Sequence, residues 1–116
     1  MYTMLMPFKS GKTSGTTTAT NVNAVVVNTQ GCGPQGKLVA LIQNQNGSNT
    51  MFYTILGYPF DSGASAGQAV TIKAQTSIAA SATVTSTDVD KNYAAVVIQV
   101  QNSSGACAYQ IDWETY

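Results

Sequence analysis

Apolar and polar residues alternate with a period of two along most of this chain. Runs of β-branched residues, Thr and Tyr are separated by Gly, Asn and Ser, and the spacing typical of a helix face is not sustained. The pattern predicts an all-β fold with seven clear strands and an eighth, weaker strand over residues 15–20. The seven strands are predicted over residues 22–28, 37–45, 49–58, 69–76, 82–87, 93–102 and 106–114.

Turn residues between these runs predict antiparallel hairpins. Asn46-Gly47 is a dipeptide that tolerates positive φ at both turn positions, and a loop of Asn, Ser and Gly joins the last two strands. In the last strand, Tyr109, Ile111 and Trp113 fall on one face, which we expect to be the core face. The sequence therefore predicts an antiparallel β-sandwich of seven or eight strands, and its short turns suit immunoglobulin-like and jelly-roll connections equally.

The N-terminal segment has a different composition from the rest. Residues 9–21 contain no large apolar side chain, whereas the eight residues before them are mostly apolar. We expect residues 1–21 to form an extended arm that adds to a neighbouring subunit, and residues 22–116 to form the sandwich domain. The alternative is an edge strand or a frayed terminus. The candidate assembly residues of the arm are Met4, Leu5, Met6, Phe8, Thr16, Thr17 and Thr18.

Charge is scarce in this chain. Only 9% of residues are charged, against about a quarter in an ordinary soluble domain, and Thr, Ser, Asn and Gln make up 42 of the 116 residues. The absence of His excludes the usual Ser-His-Asp and Cys-His apparatus, and five scattered Lys without Arg make nucleic-acid binding improbable. We therefore expect no enzymatic activity and no cofactor. No apolar run is long enough to span a membrane, and the first residues lack the basic region of a secretory signal.

The two cysteines, Cys32 and Cys107, leave two interpretations open. They pair in a disulfide, or they remain unpaired thiols in a loop and in the core. A metal site is disfavoured, because the chain has neither a C-x-x-C spacing nor a histidine to complete four ligands.

Two groups of acidic residues are candidates for a calcium site and for a catalytic carboxylate pair. Asp88, Asp90 and Asn92 offer oxygens to calcium, but a polar turn stabilised by these side chains is the favoured interpretation. Asp112 and Glu114 alternate onto the outer face of the last strand, about 7 Å apart by strand rise. A glycosidase pair would lie in a cleft, so we do not expect them to be catalytic.

The stretch from Val22 to Trp113 resembles a known class of proteins. Its elements are the Asn-Gly hairpin, the strand end at Gly57-Tyr58 and residues 76–84 and 93–100. Their pattern is similar to that of small all-β virion proteins of tailed phages and other icosahedral viruses, such as capsid decoration or cement proteins. No residue of known role is matched. The resemblance implies a subunit of the virion that docks on a major capsid or other lattice protein, and on copies of itself, without nucleic acid or membrane.

Two other functions remain open. One is a subunit of an extracellular fibre or pilus that is assembled by strand addition. The other is a secreted carbohydrate-binding module, in which Tyr58 and Phe60 would stack on a glycan, although contacts in the core and at interfaces are the favoured role of the aromatic residues. The scarcity of charge is compatible with all three functions, because a surface of neutral amides and hydroxyls costs less to desolvate on binding than a surface of ions.

Overall fold

The fold is all-β, as the alternation predicts. A computed structural model describes residues 9–28, 36–59, 69–90 and 93–116, and within these ranges it contains eight strands and no helix. The strands are β1 (Lys9–Thr16), β2 (Val22–Asn28), β3 (Leu38–Asn44), β4 (Met51–Tyr58), β5 (Val70–Ile78), β6 (Thr83–Val89), β7 (Ala95–Asn102) and β8 (Ala108–Thr115).

The strands form two four-stranded antiparallel sheets. Sheet A has the order β1-β8-β3-β6 and sheet B has the order β2-β7-β4-β5. Strands that follow one another along the chain mostly lie in different sheets, so the chain crosses repeatedly from one layer to the other. This order is that of a jelly roll. It decides between the two connections that the sequence left open. The two hairpins predicted from the turn residues are wrong, because the Asn46-Gly47 loop joins β3 in sheet A to β4 in sheet B, and the last loop joins β7 in sheet B to β8 in sheet A.

The core lies between the inner faces of the two sheets. Ile42 on β3 and Ile111 on β8 are fully buried from sheet A, and Ile55 on β4 and Ile98 on β7 are fully buried from sheet B. The core face predicted for the last strand is confirmed, and Trp113 packs against the buried cluster. Alternation of period two therefore places one apolar side chain in the core at every second position.

The bounds of the seven clear strands are also close to those predicted. None of the strand ends differs by more than two residues from the sequence pattern. Differences of two residues occur at the starts of β4, β7 and β8, which begin later than predicted, and at the ends of β5 and β6, which extend further than predicted. Strand ends are set partly by pairing with neighbours, so periodicity alone locates them only approximately.

The N-terminal prediction needs correction. β1 covers Lys9–Thr16 and pairs antiparallel with β8 along its whole length, from Lys9↔Thr115 to Thr16↔Ala108. Residues 9–16 therefore belong to the chain's own sandwich, and the boundary predicted at residue 21 is wrong, as is the strand predicted over residues 15–20. Residues 1–8 lie outside the described residues.

Glycines explain how a strand without apolar side chains joins the sandwich. Gly11 lies opposite Trp113 and Gly15 opposite Tyr109 on the inner side of β1. A Cβ atom at Gly11 would lie 2.5 Å from Cζ2 of Trp113, and one at Gly15 would lie 2.8 Å from the Tyr109 hydroxyl oxygen. The aromatic side chains of β8 thus fill the space that side chains of β1 would otherwise occupy, an arrangement known to stabilise glycines at sheet edges.

We predict that Gly11→Ala destabilises the domain by about 1–3 kcal/mol, because the new methyl group overlaps the indole of Trp113. An unstrained alanine in a strand would instead be stabilising. Chemical denaturation measures the free energy of unfolding. Ser14→Ala, at an exposed position of the same strand, is the control and should change it by less than about 0.5 kcal/mol. A neutral or stabilising Gly11→Ala would contradict this account of β1.

Candidate functional site

The threonines predicted to belong to the arm lie at the end of β1 and in the connection to β2, which we call the corner. Thr16 ends β1, and Thr17, only 3% exposed, begins the connection to β2. The Thr17 hydroxyl donates to Oδ1 of Asn102 and accepts from the backbone N–H of Cys107. The backbone carbonyl of Thr18 accepts from the backbone N–H of Asn102. These contacts hold the corner in place within one chain, so Thr16, Thr17 and Thr18 are corrected from arm to corner residues. Met4, Leu5, Met6 and Phe8 lie outside the described residues.

Cys107 is a buried thiol at the start of the last strand. Its sulfur lies 3.4 Å from the backbone oxygen of Asn49 and is fully shielded from solvent. Cys32 lies outside the described residues, so the disulfide stays a prediction.

Asp88, one of the residues considered as a calcium ligand, accepts a local hydrogen bond. Oδ2 of Asp88 accepts from the hydroxyl of Ser86 at 2.7 Å, and Asn92 lies outside the described residues. Among the described residues there is no group of three or more side chains suited to hold a metal ion. The part of the chain that the structure describes also contains no helix long and apolar enough to cross a membrane.

The two sheets differ sharply in charge. Sheet A carries two lysines on β1, an aspartate on β6 and two carboxylates on β8. The strands of sheet B carry Lys73 alone, on the edge strand β5. Depletion of charge is the compositional signature of the central part of a protein interface. Sheet B is therefore the more suitable side for association with another protein.

β2 is the most exposed apolar element of sheet B. It lies at the edge of the sheet, contains no charged residue, and exposes Val22 by 41% and Val26 by 56%. On the outer face, Val26 pairs with Val97 on β7, which in turn pairs with Leu56 on β4. Val97 is fully buried and Leu56 is partly buried, so Val26 is the most exposed member of this apolar row, whereas Val22 lies beside the inward-facing Val100. We call β2 with its outward side chains the β2 edge.

Neutral amides lie next to this row. Nε2 of Gln99 donates to Oδ1 of Asn23 at 3.0 Å, and Nε2 of Gln101 donates to the backbone oxygen of Ala19 at 2.9 Å. Sequence analysis missed the β2 edge as a site. The available signal was the run Val25-Val26-Val27, since consecutive valines in a strand necessarily place one on the outer face.

The outer face of sheet A contains a depression of about 250 Å³. Its lining is Val39 and Leu41 from β3, Thr85 from β6, and Asp112 and Glu114 from β8. The register explains the arrangement, because Leu41 lies directly between Asp112 and Thr85, and Val39 lies beside Glu114. The carboxylates predicted on the outer face are thus placed there, next to two apolar side chains that the sequence did not single out.

Hydrogen bonding within this depression is incomplete. Oδ1 of Asp112 is shielded from solvent and has no hydrogen-bond partner among the described residues, and Nζ of Lys12 lies 4.0 Å away from it. Nε2 of Gln110 donates to the other oxygen, Oδ2, at a long 3.5 Å. Glu114 is better paired, because its Oε2 accepts from the hydroxyl of Tyr116 at 2.6 Å. This hydrogen bond, which prefers the protonated phenol, raises the pKa of Tyr116.

One end of the sandwich is held by asparagine side chains. Nδ2 of Asn44, which is buried, donates to the backbone oxygens of Asn49 and Ile78 at 2.9 and 3.1 Å. Oδ1 of Asn46 accepts from the backbone N–H groups of Ser48 and Asn49, which stabilises the connection between β3 and β4. These contacts are internal to the loops and indicate a structural role for this end.

Burial raises the pKa of three core groups. Desolvation is the largest cause for the thiol of Cys107 and for the phenols of Tyr53 and Tyr109, and the charge of Asp88 adds to the effect at Tyr53. All three groups are neutral at pH 7. None has an arrangement of neighbouring bases that would activate it as a nucleophile.

No family model matches the sequence, and no curated protein matches it. Solved structures do share the fold. The Yersinia pseudotuberculosis-derived mitogen superposes with a TM-score of 0.59 at 17% identity, over 96% of this chain and 88% of that one. PirA superposes with a TM-score of 0.55 at 14% identity, over 97% of both chains. Bacillus endospore appendages, described as disulfide-linked pili, give 0.48 at 12% identity, over 92% of this chain and 86% of that one. At these identities the likeness shows the fold alone.

We predict that the domain loses stability as the pH rises above about 9. The ordinary pKa values are 9.0 for Cys and 10.0 for Tyr, and burial raises those of Cys107, Tyr53 and Tyr109. Below these values the groups are protonated in both states and the stability is fully present. Above them the unfolded chain loses protons that the folded chain retains, so the free energy of unfolding falls.

Urea denaturation between pH 7 and pH 11 measures this effect. Tyr109→Phe removes one of the three groups and should make the decline above about pH 10 shallower. A free energy of unfolding that stays constant to pH 11 would contradict the burial of these groups.

Proposed function

We propose that this protein is a non-enzymatic structural subunit of a repeating protein assembly, joined to its neighbours at the β2 edge. The observation that carries the proposal is an uncharged edge strand that exposes Val22 and Val26. Edge strands are usually protected by charged side chains, because their outer side offers a template for pairing with another chain. β1, an edge of sheet A, carries Lys9 and Lys12, whereas β2 carries no charged side chain. A lysine reaches β2 at its last residue, where Nζ of Lys9 donates to the backbone oxygen of Asn28.

The surface around the β2 edge supports the same function. The amides of Gln99, Gln101 and Asn23 can exchange their hydrogen bonds for bonds to a partner at lower cost than ions can. The net charge of zero removes the long-range repulsion that keeps many small proteins apart. An enzymatic function has no comparable support, since the described titratable groups do not form a nucleophile–base pair.

Two settings suit such a subunit. In a virion it would dock on a capsid lattice as a decoration or cement protein, as the sequence resemblance implies. In an extracellular fibre it would join head to tail by strand addition, and the exposed backbone edge of β2 favours this second setting. The two differ in symmetry, because decoration proteins form closed oligomers or bind assembled shells, whereas a head-to-tail series does not close.

We predict that Val26→Lys prevents self-association. A lysine at this position places a charge on the apolar row and protects the edge, and the exposed site should tolerate it with a change of less than about 0.5 kcal/mol in the free energy of unfolding. Sedimentation over a wide concentration range measures the assembly state, and negative-stain microscopy distinguishes filaments from closed particles.

Ser14→Lys is the matched control, because it adds the same charge at an exposed position of β1 in sheet A. It should associate as the unmodified protein does. Equal association of Val26→Lys and Ser14→Lys would contradict the proposal, and so would a chain that stays monomeric and binds polysaccharide, which would favour the carbohydrate-binding alternative.

A further inference from the structure

The depression on the outer face of sheet A combines an apolar floor with an acidic wall. Val39 and Leu41 form the floor in the middle of the sheet, and Asp112 and Glu114 stand beside them on β8. Thr85 closes the side towards β6. Val39 and Leu41 point away from the inter-sheet core and are only partly covered, so their apolar surface is available to a ligand.

Asp112 lacks a donor that matches its charge. Its Oδ1 is shielded from solvent and accepts no hydrogen bond from the described residues. Lys12, at 4.0 Å, is beyond hydrogen-bonding distance, and its side chain remains 68% exposed, so its ammonium group stays largely hydrated. A partly desolvated carboxylate without a close donor costs free energy, and the 38% of the Asp112 side chain that is exposed can accept a hydrogen bond from a ligand in the depression.

Asp112 and Glu114 together give the wall its negative charge. The side chain of Asp112 lines the depression and is 38% exposed, and its Oδ2 has the long 3.5 Å contact with Nε2 of Gln110. Glu114 stands about 7 Å along the same strand and adds a second negative charge to the wall.

We propose that this depression binds an aliphatic chain that ends in a cation, such as a lysine or arginine side chain or a diamine. The apolar stem rests on Val39 and Leu41, and the cationic end donates to Asp112 beside Glu114. Long cationic side chains bind in this divided manner, with the stem on apolar surface and the charge in a polar setting. The inference is independent of the assembly function, because the depression and the β2 edge lie on different sheets.

Other ligand classes fit the lining less well. Calcium takes six to eight oxygen ligands, and the depression offers two carboxylates and one hydroxyl around an apolar floor. Anions would meet the charges of Asp112 and Glu114. A neutral sugar usually stacks on an aromatic ring, and the described lining contains none.

Titration with pentylammonium chloride, followed by amide NMR spectra of the full chain, tests the proposal. We expect saturable shifts at Val39, Leu41 and Asp112 with an affinity in the millimolar range, and no such shifts with pentanol or ammonium chloride. Pentanol lacks the charge and ammonium lacks the stem, so each control removes one half of the interaction. Equal shifts with pentanol or with ammonium chloride would overturn the proposal.

Two pairs of variants locate the site. Asp112→Asn keeps the shape of the side chain and should weaken binding about tenfold, whereas Asp90→Asn, which removes an equal charge outside the depression, should not. Lys12→Ala removes the competing cation and should tighten binding, whereas Lys73→Ala on sheet B should leave it unchanged. If Asp90→Asn weakened binding as much as Asp112→Asn, or if Lys73→Ala tightened it as much as Lys12→Ala, the changes would reflect the net charge of the protein and would overturn the proposed site.

The same titration distinguishes the source of the cation. Acetyl-lysine amide represents the side chain of a partner protein, and cadaverine represents a free diamine. Tighter binding of acetyl-lysine amide supports a partner protein, and tighter binding of cadaverine supports a small-molecule ligand. Absence of shifts at Val39, Leu41 and Asp112 with both probes would overturn the proposal.

Discussion

The pairing of β8 between β1 and β3 is the interaction on which most of this structure depends. On its inner side, β8 places Tyr109 and Trp113 over the two glycines of β1, and Ile111 in the core. On its outer side, the same strand supplies both carboxylates of the depression. One strand of eight residues therefore anchors the N-terminal strand, completes the core and forms the acidic wall.

The jelly roll separates two kinds of surface. Because the strands of sheet B carry one lysine as their only charge, the exposed valines of β2 have no ionic neighbours in that sheet. Sheet A carries charge of both signs, and its depression lies over β3 beside the carboxylates of β8. The two layers of this small neutral protein therefore differ, with an apolar edge on one and a depression with an acidic wall on the other.

Burial rather than catalysis accounts for the perturbed groups. The thiol of Cys107 and the phenols of Tyr53 and Tyr109 have raised pKa values because they contribute to packing between the sheets. Functional sites usually shift pKa values towards the operating pH, whereas these shifts lead away from it. The groups therefore behave as core residues, consistent with a structural or binding role.

Seven strands and the inward residues of β7 and β8 could be predicted from the sequence alone. The alternation of apolar and polar residues with a period of two is a pattern of neighbouring residues, and it recurs in each of these strands. Scarcity of charge was equally visible, and so was the outward position of Asp112 and Glu114. The position of β1 could not be predicted from the sequence. Gly11 and Gly15 form part of a strand only because the rings of Trp113 and Tyr109, about a hundred positions away in the chain, cover them. Strand order, the exposed edge at β2 and the neighbours of Asp112 were likewise decided by tertiary structure, because pairing between distant segments determines which faces and edges remain uncovered.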